Sequence, residues 1–267
     1  MHRIESSLAA LYFERNCVEY FIYHSATLML FDHTVDPCYD VENLQGTYHA
    51  CLTSDDSSLV TQAAHSPYLG APHQLFVLII RATQLARALN TSSVENSPPP
   101  RIHYRQVVEL QHALDQDICS KRDWPGRLYA FATRILLLKL IPCKNELQNR
   151  NQDAELSAVA SDALKQLSIQ LLGRVFGKYW LWPLAILGSI MTRRRDINFI
   201  RDKMDAISHR SHANAVKVVR YLLESIWASN LRTEGSDYSL EGLATLLDGD
   251  IMDRTSSILS LWAEDLA

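Results

Sequence analysis

Apolar residues recur along this chain at the spacing of one helical face. Leu75, Leu78, Ile79, Ala82, Leu85, Ala86 and Leu89 follow the i, i+3, i+4, i+7 rule. So do Leu156, Val159, Ala160, Ala163, Leu164, Leu167 and Leu171, and again Val216, Val219, Leu223, Ile226 and Trp227. Leu128 to Ile141 is apolar on nearly every side, the pattern of a central helix covered by its neighbours. Tyr179 to Met191 is denser still, a run of thirteen mostly apolar residues. That run is too short to span a bilayer and reads as a buried helix with Pro183 near its first turn. No segment alternates with period two between turns, so strands are not expected. The pattern predicts an all-α fold: a single multi-helix, bundle-like domain with buried central helices.

Between these helices, segments rich in Gly, Pro, Asn, Asp and Ser predict loops at Asp32 to Gly46, Thr53 to Pro72, Asn90 to Pro100, Lys144 to Asp153 and Leu231 to Ser239. Ser97-Pro98-Pro99-Pro100 makes the third of these the most extended, because consecutive prolines stop a helix. No repeat of fixed length is present, against a regular solenoid.

Composition narrows the class. The 267 residues are 47% apolar and 21% charged, with nine glycines and nine prolines, which excludes a disordered or fibrous chain and suffices for one substantial core. A net charge of −4 gives the chain as a whole no electrostatic reason to seek a polyphosphate, so direct nucleic-acid contact is not expected. The first residues, MHRIESSLAALYFERN, lack the apolar stretch and cleavage site of a secretory signal, so an intracellular protein is expected. Without secretion, the sequon Asn90-Thr91-Ser92 is a chance match. Five cysteines, Cys17, Cys38, Cys51, Cys119 and Cys143, fit neither a disulfide framework nor paired zinc ligands and read as reduced, mostly buried thiols.

Candidate chemistry is sparse. His209 and His212 could share one helical face but lack a third ligand, and they read as polar residues at a helix boundary. The acidic pairs Asp55-Asp56 and Asp115/Asp117 call to mind the magnesium carboxylates of all-α terpenoid cyclases, without the Asp-rich motif or its partner array. Gly188-Ser189 lies inside the apolar helix with no nucleophile elbow and reads as a close-packing pair, and no phosphate-cradling glycine loop is present. No catalytic residue, metal or cofactor is expected. Arg193-Arg194-Arg195 is the strongest basic cluster: it is expected to set cations against the dipole at the end of the buried helix, with Asp196 opening the next one, and it is also a candidate nuclear import signal. Trp180, Trp182 and Trp227 are core candidates that could also line a pocket for a small apolar effector.

The last segment carries eight acidic residues between Leu231 and Ala267 against Arg232 and Arg254. Acids interleaved with Leu246, Leu247, Ile251, Leu259, Leu261 and Trp262 compose an acidic-hydrophobic activation segment. Leu240, Leu243, Ala244 and Leu247, at helical spacing, favour a closing amphipathic helix instead.

Several weak motifs occur in a telling order: Ser66-Pro67-Tyr68-Leu69-Gly70, Leu75-Phe76, Leu85-Ala86-Arg87, Trp182-Pro183-Leu184, Gly188-Ser189, a charged turn, then Ile197, Ile200, Met204 and Trp227. Together they resemble the fungal-specific transcription factor domain, the regulatory region of fungal binuclear zinc cluster regulators, from about Glu14 to Arg232. The resemblance implies a regulatory (effector) domain at residues 1–232, followed by an acidic helical segment at 233–267 that could belong to the same domain. It further implies a transcription regulator acting in the nucleus on fungal specialised-metabolite or catabolic genes. Coregulators or a DNA-binding protein are the implied partners, with a small-molecule effector and no membrane. Members of that family read DNA through six regularly spaced cysteines holding two zinc ions. This sequence shows no such module and no dimerising heptads, so DNA reading is expected to lie elsewhere. The alternatives are an all-α enzyme of fungal specialised metabolism and a helical protein-interaction scaffold.

Overall fold

The computed structural model describes residues 2–31, 73–94, 101–118, 124–141, 145–169, 180–211, 214–230 and 237–247. Nine α-helices stand among the described residues: α1 (His2–Leu28), α2 (His73–Val94), α3 (Arg101–Ile118), α4 (Trp124–Lys139), α5 (Glu146–Ile169), α6 (Leu181–Ser189), α7 (Arg194–Ser211), α8 (Asn214–Asn230) and α9 (Glu241–Leu247). The one bridge among those residues joins Met191 to Tyr238 and builds no strand. The fold is the all-α bundle that the spacing predicts.

Two helices organise the rest. α4 packs against α2, α3, α5 and α6, and its near-continuous apolar sequence follows from having neighbours on every side. α6 packs against α4, α7, α8 and α9, and all nine of its residues are buried. Pro183 lies in the first turn of α6, where a missing N–H costs no intrahelical bond. The helix is two residues shorter at each end than the apolar run Tyr179 to Met191: Trp180 is its N-cap and Ile190 its C-cap.

Three buried threonines enter this core with their hydrogen bonds made. The hydroxyls of Thr27, Thr83 and Thr133 donate to the carbonyls of Tyr23, Ile79 and Tyr129, one turn back, at 2.9, 2.9 and 2.7 Å. Each satisfies itself within its own helix and leaves its methyl for packing.

One expected loop is a helix. Lys144 to Asp153 reads as a break because it is rich in Asn, Gln and charge, yet α5 begins at Glu146. Asn145 caps it, its Oδ1 accepting from Gln148 N–H at 2.9 Å. The polar residues that follow form an exposed first turn rather than a break. Further along, the Gln152 side chain reaches back to the Leu138 and Ile141 carbonyls where α4 ends, joining the Ile141 N–H, which donates to Leu138 at 3.2 Å. Helix α2 likewise runs to Val94, four residues into the segment expected to be a loop from Asn90. The expected loops at Asp32 to Gly46 and Thr53 to Pro72, and Leu171 of the second apolar series, lie outside the described residues.

Candidate functional site: the two ends of the central helix

The sequence candidates gather around α6. At its N-terminal end lies an aromatic column that crosses four helices: Tyr23 of α1 meets Phe76 of α2 at 5.8 Å between ring centroids, Phe76 meets Tyr129 of α4 at 5.1 Å, and Tyr129 meets Trp182 at 5.7 Å. The last pair is stacked, 12° from parallel, and Trp182 is 1% exposed. Its indole Nε1–H is buried with no hydrogen-bond partner among the described residues, an uncommon state for a buried donor. Trp180, half-buried, precedes it at the helix start.

The C-terminal end is built differently. Gly188 lets α8 approach closely: a Cβ there would stand 2.7 Å from Leu223 Cδ1 and 3.4 Å from the Trp227 ring. Trp227 of α8, fully buried, donates its indole N–H to the Gly188 carbonyl at 2.8 Å. This is one of the carbonyls that a helix end leaves without an internal partner. Arg201 of α7 lies over the Trp227 ring, 5.1 Å from its centroid, and holds Glu224 of α8 through a fork of 2.6 and 2.5 Å bonds. The Glu224 carboxylate raises the Arg201 pKa, so the guanidinium stays charged. Arg220 and Asp205 form a second ion pair between the same two helices.

Lys203 stands apart on α7. It is 8% exposed, has no carboxylate within ion-pair distance among the described residues, and lies over the Phe199 ring at 4.7 Å. Burial of its stem lowers its pKa, partly offset by Asp202.

The chain then returns to close this end. Ser239 N–H donates to the Ile190 carbonyl at 2.9 Å, Tyr238 bridges Met191, and Asp237 takes the guanidinium of Arg193 through both carboxylate oxygens. Tyr238 is buried, which raises its phenol pKa; Asp196 acts in the same direction and Arg193 against it. α9 follows at once, burying Gly242, Leu243, Leu246 and Leu247 against α8, α6, α2 and α4. Its first turn carries Glu241, whose charge partly offsets the lowering of the Lys139 pKa by burial at the end of α4. Leu243 and Leu247 of the expected closing helix are therefore placed as the spacing predicts, and residues beyond Leu247 lie outside the described ones.

The arginine triplet corrects one expectation. Its cations do not lie against the end of α6, whose carbonyls take the indole of Trp227 and the backbone of the returning chain. Arg193 instead caps α7, its carbonyl accepting from Asp196 and Ile197 N–H, both at 3.0 Å, while Arg194 and Arg195 are exposed in the first turn of that helix. The four-residue link is too short for charges to fold back on α6 while also starting α7. Asp196 does open α7, as the sequence suggests.

Other candidates separate. Trp182 and Trp227 flank opposite ends of one helix, each with its own ring partner. Asp115 pairs with Arg134 at 2.9 Å. Asp55, Asp56, His212 and the side chains of Asp117 and His209 lie outside the described residues, as do four of the cysteines, while the His209 backbone belongs to α7. The remaining one, Cys17, is exposed on α1 rather than buried. Among the described residues no group of three or more His, Cys, Asp or Glu side chains could hold a metal ion, and no helix is long and apolar enough to cross a membrane.

The residues that sequence reasoning missed are Asp237, Tyr238 and Ser239. They fall in a Gly- and Ser-containing stretch that signals only a loop, and nothing local in sequence announces their partners more than forty residues upstream.

Comparison with protein-family models matches residues 12–240 to the fungal specific transcription factor domain. No curated protein and no solved structure matches the chain.

Proposed function

The chain belongs to the fungal specific transcription factor domain family, and from that premise we propose that it is the effector domain of a transcription regulator, working by contact rather than by bond-making. Its buried helices serve as a rigid body whose surfaces receive coregulators or a DNA-binding protein, while DNA reading is carried by another module. The genes controlled are those of fungal specialised metabolism or catabolism. The observation that carries this reading is the family match along most of the chain, which includes every helix around α6 except α9. Tethering the full chain to an unrelated DNA-binding domain upstream of a reporter tests it. Activation or repression of at least severalfold is expected, and a well-expressed fusion that leaves the reporter unchanged sinks it.

Two finer assignments go with this reading. Import into the nucleus is assigned to the cluster Arg193, Arg194 and Arg195, of which Arg194 and Arg195 are exposed and Arg193 is held by Asp237. A fluorescent fusion carrying Arg194→Ala and Arg195→Ala should spread into the cytoplasm; unchanged nuclear accumulation removes the cluster from that role. Small-molecule sensing is assigned to the tryptophans Trp180, Trp182 and Trp227 at the two ends of α6. Within that set Trp182 offers a buried indole donor that an apolar effector bearing a carbonyl could satisfy. Quenching of tryptophan emission by such an effector should disappear in Trp182→Phe.

A further inference from the structure

The described part of helix α9, Glu241–Leu247, is seven residues, and a stretch of that length does not hold a helical shape in water without packing. It is helical because Leu243, Leu246 and Leu247, at i, i+3 and i+4, bury at 0, 3 and 5% exposure against α8, α6, α2 and α4. Ser239 starts it by accepting from Glu241 N–H at 3.2 Å, and Glu241 suits the positive end of its dipole. An amphipathic helix laying leucines of this spacing into an apolar groove is a recurring mode of protein recognition. Here the groove is filled by the chain itself.

The rim of the groove is cationic where the occupant is acidic. Arg193 grips Asp237 ahead of α9, and Lys139, at the end of α4, faces the charge of Glu241. The Arg193–Asp237 pair is at the surface, where a single ion pair contributes little to stability and is weakened by salt, and Lys139, half-buried, acts on Glu241 through its charge without an ion-pair contact. The segment is therefore held by three leucines, by buried Tyr238 with its bridge to Met191, by the Ser239 bond to the Ile190 carbonyl and by surface charge contacts. The family match runs through residues 237–240 and ends just before α9.

We propose that residues 237–247 are a displaceable clasp. The groove between α6 and α8 that they occupy is a docking site for an acidic amphipathic helix of another protein, with leucines at i, i+3 and i+4 and a carboxylate in its first turn. In the resting chain α9 fills the site. A partner helix enters by displacing it, so that the clasp sets a threshold for recruitment.

The probe is a fluorescein-labelled peptide of residues 237–247, titrated with the full chain by fluorescence anisotropy. With Leu243→Asp and Leu246→Asp in the chain, α9 cannot hold its place, and saturable peptide binding is expected at about tenfold lower protein concentration than with the intact chain. The same peptide with its three leucines changed to alanine should not bind. A variant that keeps its helical circular dichroism yet ignores the peptide overturns the proposal. So does exchange of α9 between two variant-free copies, seen as a concentration-dependent dimer, because it makes a second copy the occupant.

Should the double aspartate chain fail to fold, charge reversal at the rim decides. Asp237→Lys with Glu241→Lys should speed amide exchange in α9 by about tenfold while α6 and α8 keep their protection. Protection lost equally in all three helices, or unchanged in α9, refutes a clasp that moves by itself. Both assays run without a transcriptional readout, so their failure is distinct from failure of the regulatory reading.

Discussion

The two ends of α6 face the same problem, a tryptophan against a buried helix, and solve it in opposite ways. At the start, Trp182 makes a flat stack on Tyr129 and leaves its N–H without an acceptor among the described residues. At the finish, Trp227 gives its N–H to Gly188, lies under Arg201 and is flanked by two ion pairs and the returning chain. The first arrangement is fixed by shape alone and tolerates sliding, because stacked rings have many near-equal offsets. The second is fixed by directional bonds that exist in only one register. Rigidity thus increases along nine residues of a single helix.

The sharpest way to break this contrast is Trp227→Ala. It removes a fully buried ring and one of the donors to the Gly188 carbonyl, which keeps the Met191 N–H, so a loss of about 3 to 5 kcal/mol is expected in urea unfolding. A loss under about 1 kcal/mol would mean that this end is not the more firmly fixed one.

Gly188→Val comes next, at about 1 to 3 kcal/mol, because its side chain must push into Leu223. Adding Leu223→Ala, which opens that space, should make the double variant cost less than the two single losses together. Strict additivity would show that the approach of α8 at Gly188 is not what the glycine permits.

Trp182→Phe should change stability by no more than about 1 kcal/mol, since the packing it loses is offset by removal of an unsatisfied donor. A cost as large as that at Trp227 would erase the difference between the ends.

The smallest effect is one of pH. The Tyr238 phenol has its pKa raised in the folded chain, first by burial, so folding favours the neutral form. Its contribution is whole below the ordinary tyrosine value of 10.0 and is lost as pH rises through the raised folded-state value. The chain should therefore lose stability as pH rises from 10.0 towards that raised value, and Tyr238→Phe should flatten the loss. Identical alkaline profiles would remove Tyr238 from the closure at the C-terminal end.

How far sequence reaches follows the same division. The stripes that build α2, α5 and α8 repeat at helical spacing because burial of one face demands it, the runs of α4 and α6 are apolar throughout because neighbours cover every side, and both are legible at a glance. The start of α5 is hidden because Asn, Gln and charge at an exposed helical turn look like those of a loop. Arg193 and Asp237 are illegible in another sense: each is an ordinary surface charge until the fold sets them side by side. Trp182 and Trp227 are recognisable as core residues from their size, but which of them keeps an unpaired N–H depends on neighbours from three other helices.

The clasp has a consequence for biosynthesis. A ribosome adds residues at about 5 to 20 per second, so on the order of a second separates completion of α8 from completion of α9. Until α9 packs back, the faces of α8, α6, α2 and α4 that it covers are open in the nascent bundle, a target for chaperones. Its final helix, the last of the described elements to be translated, decides when the newborn protein stops being sticky.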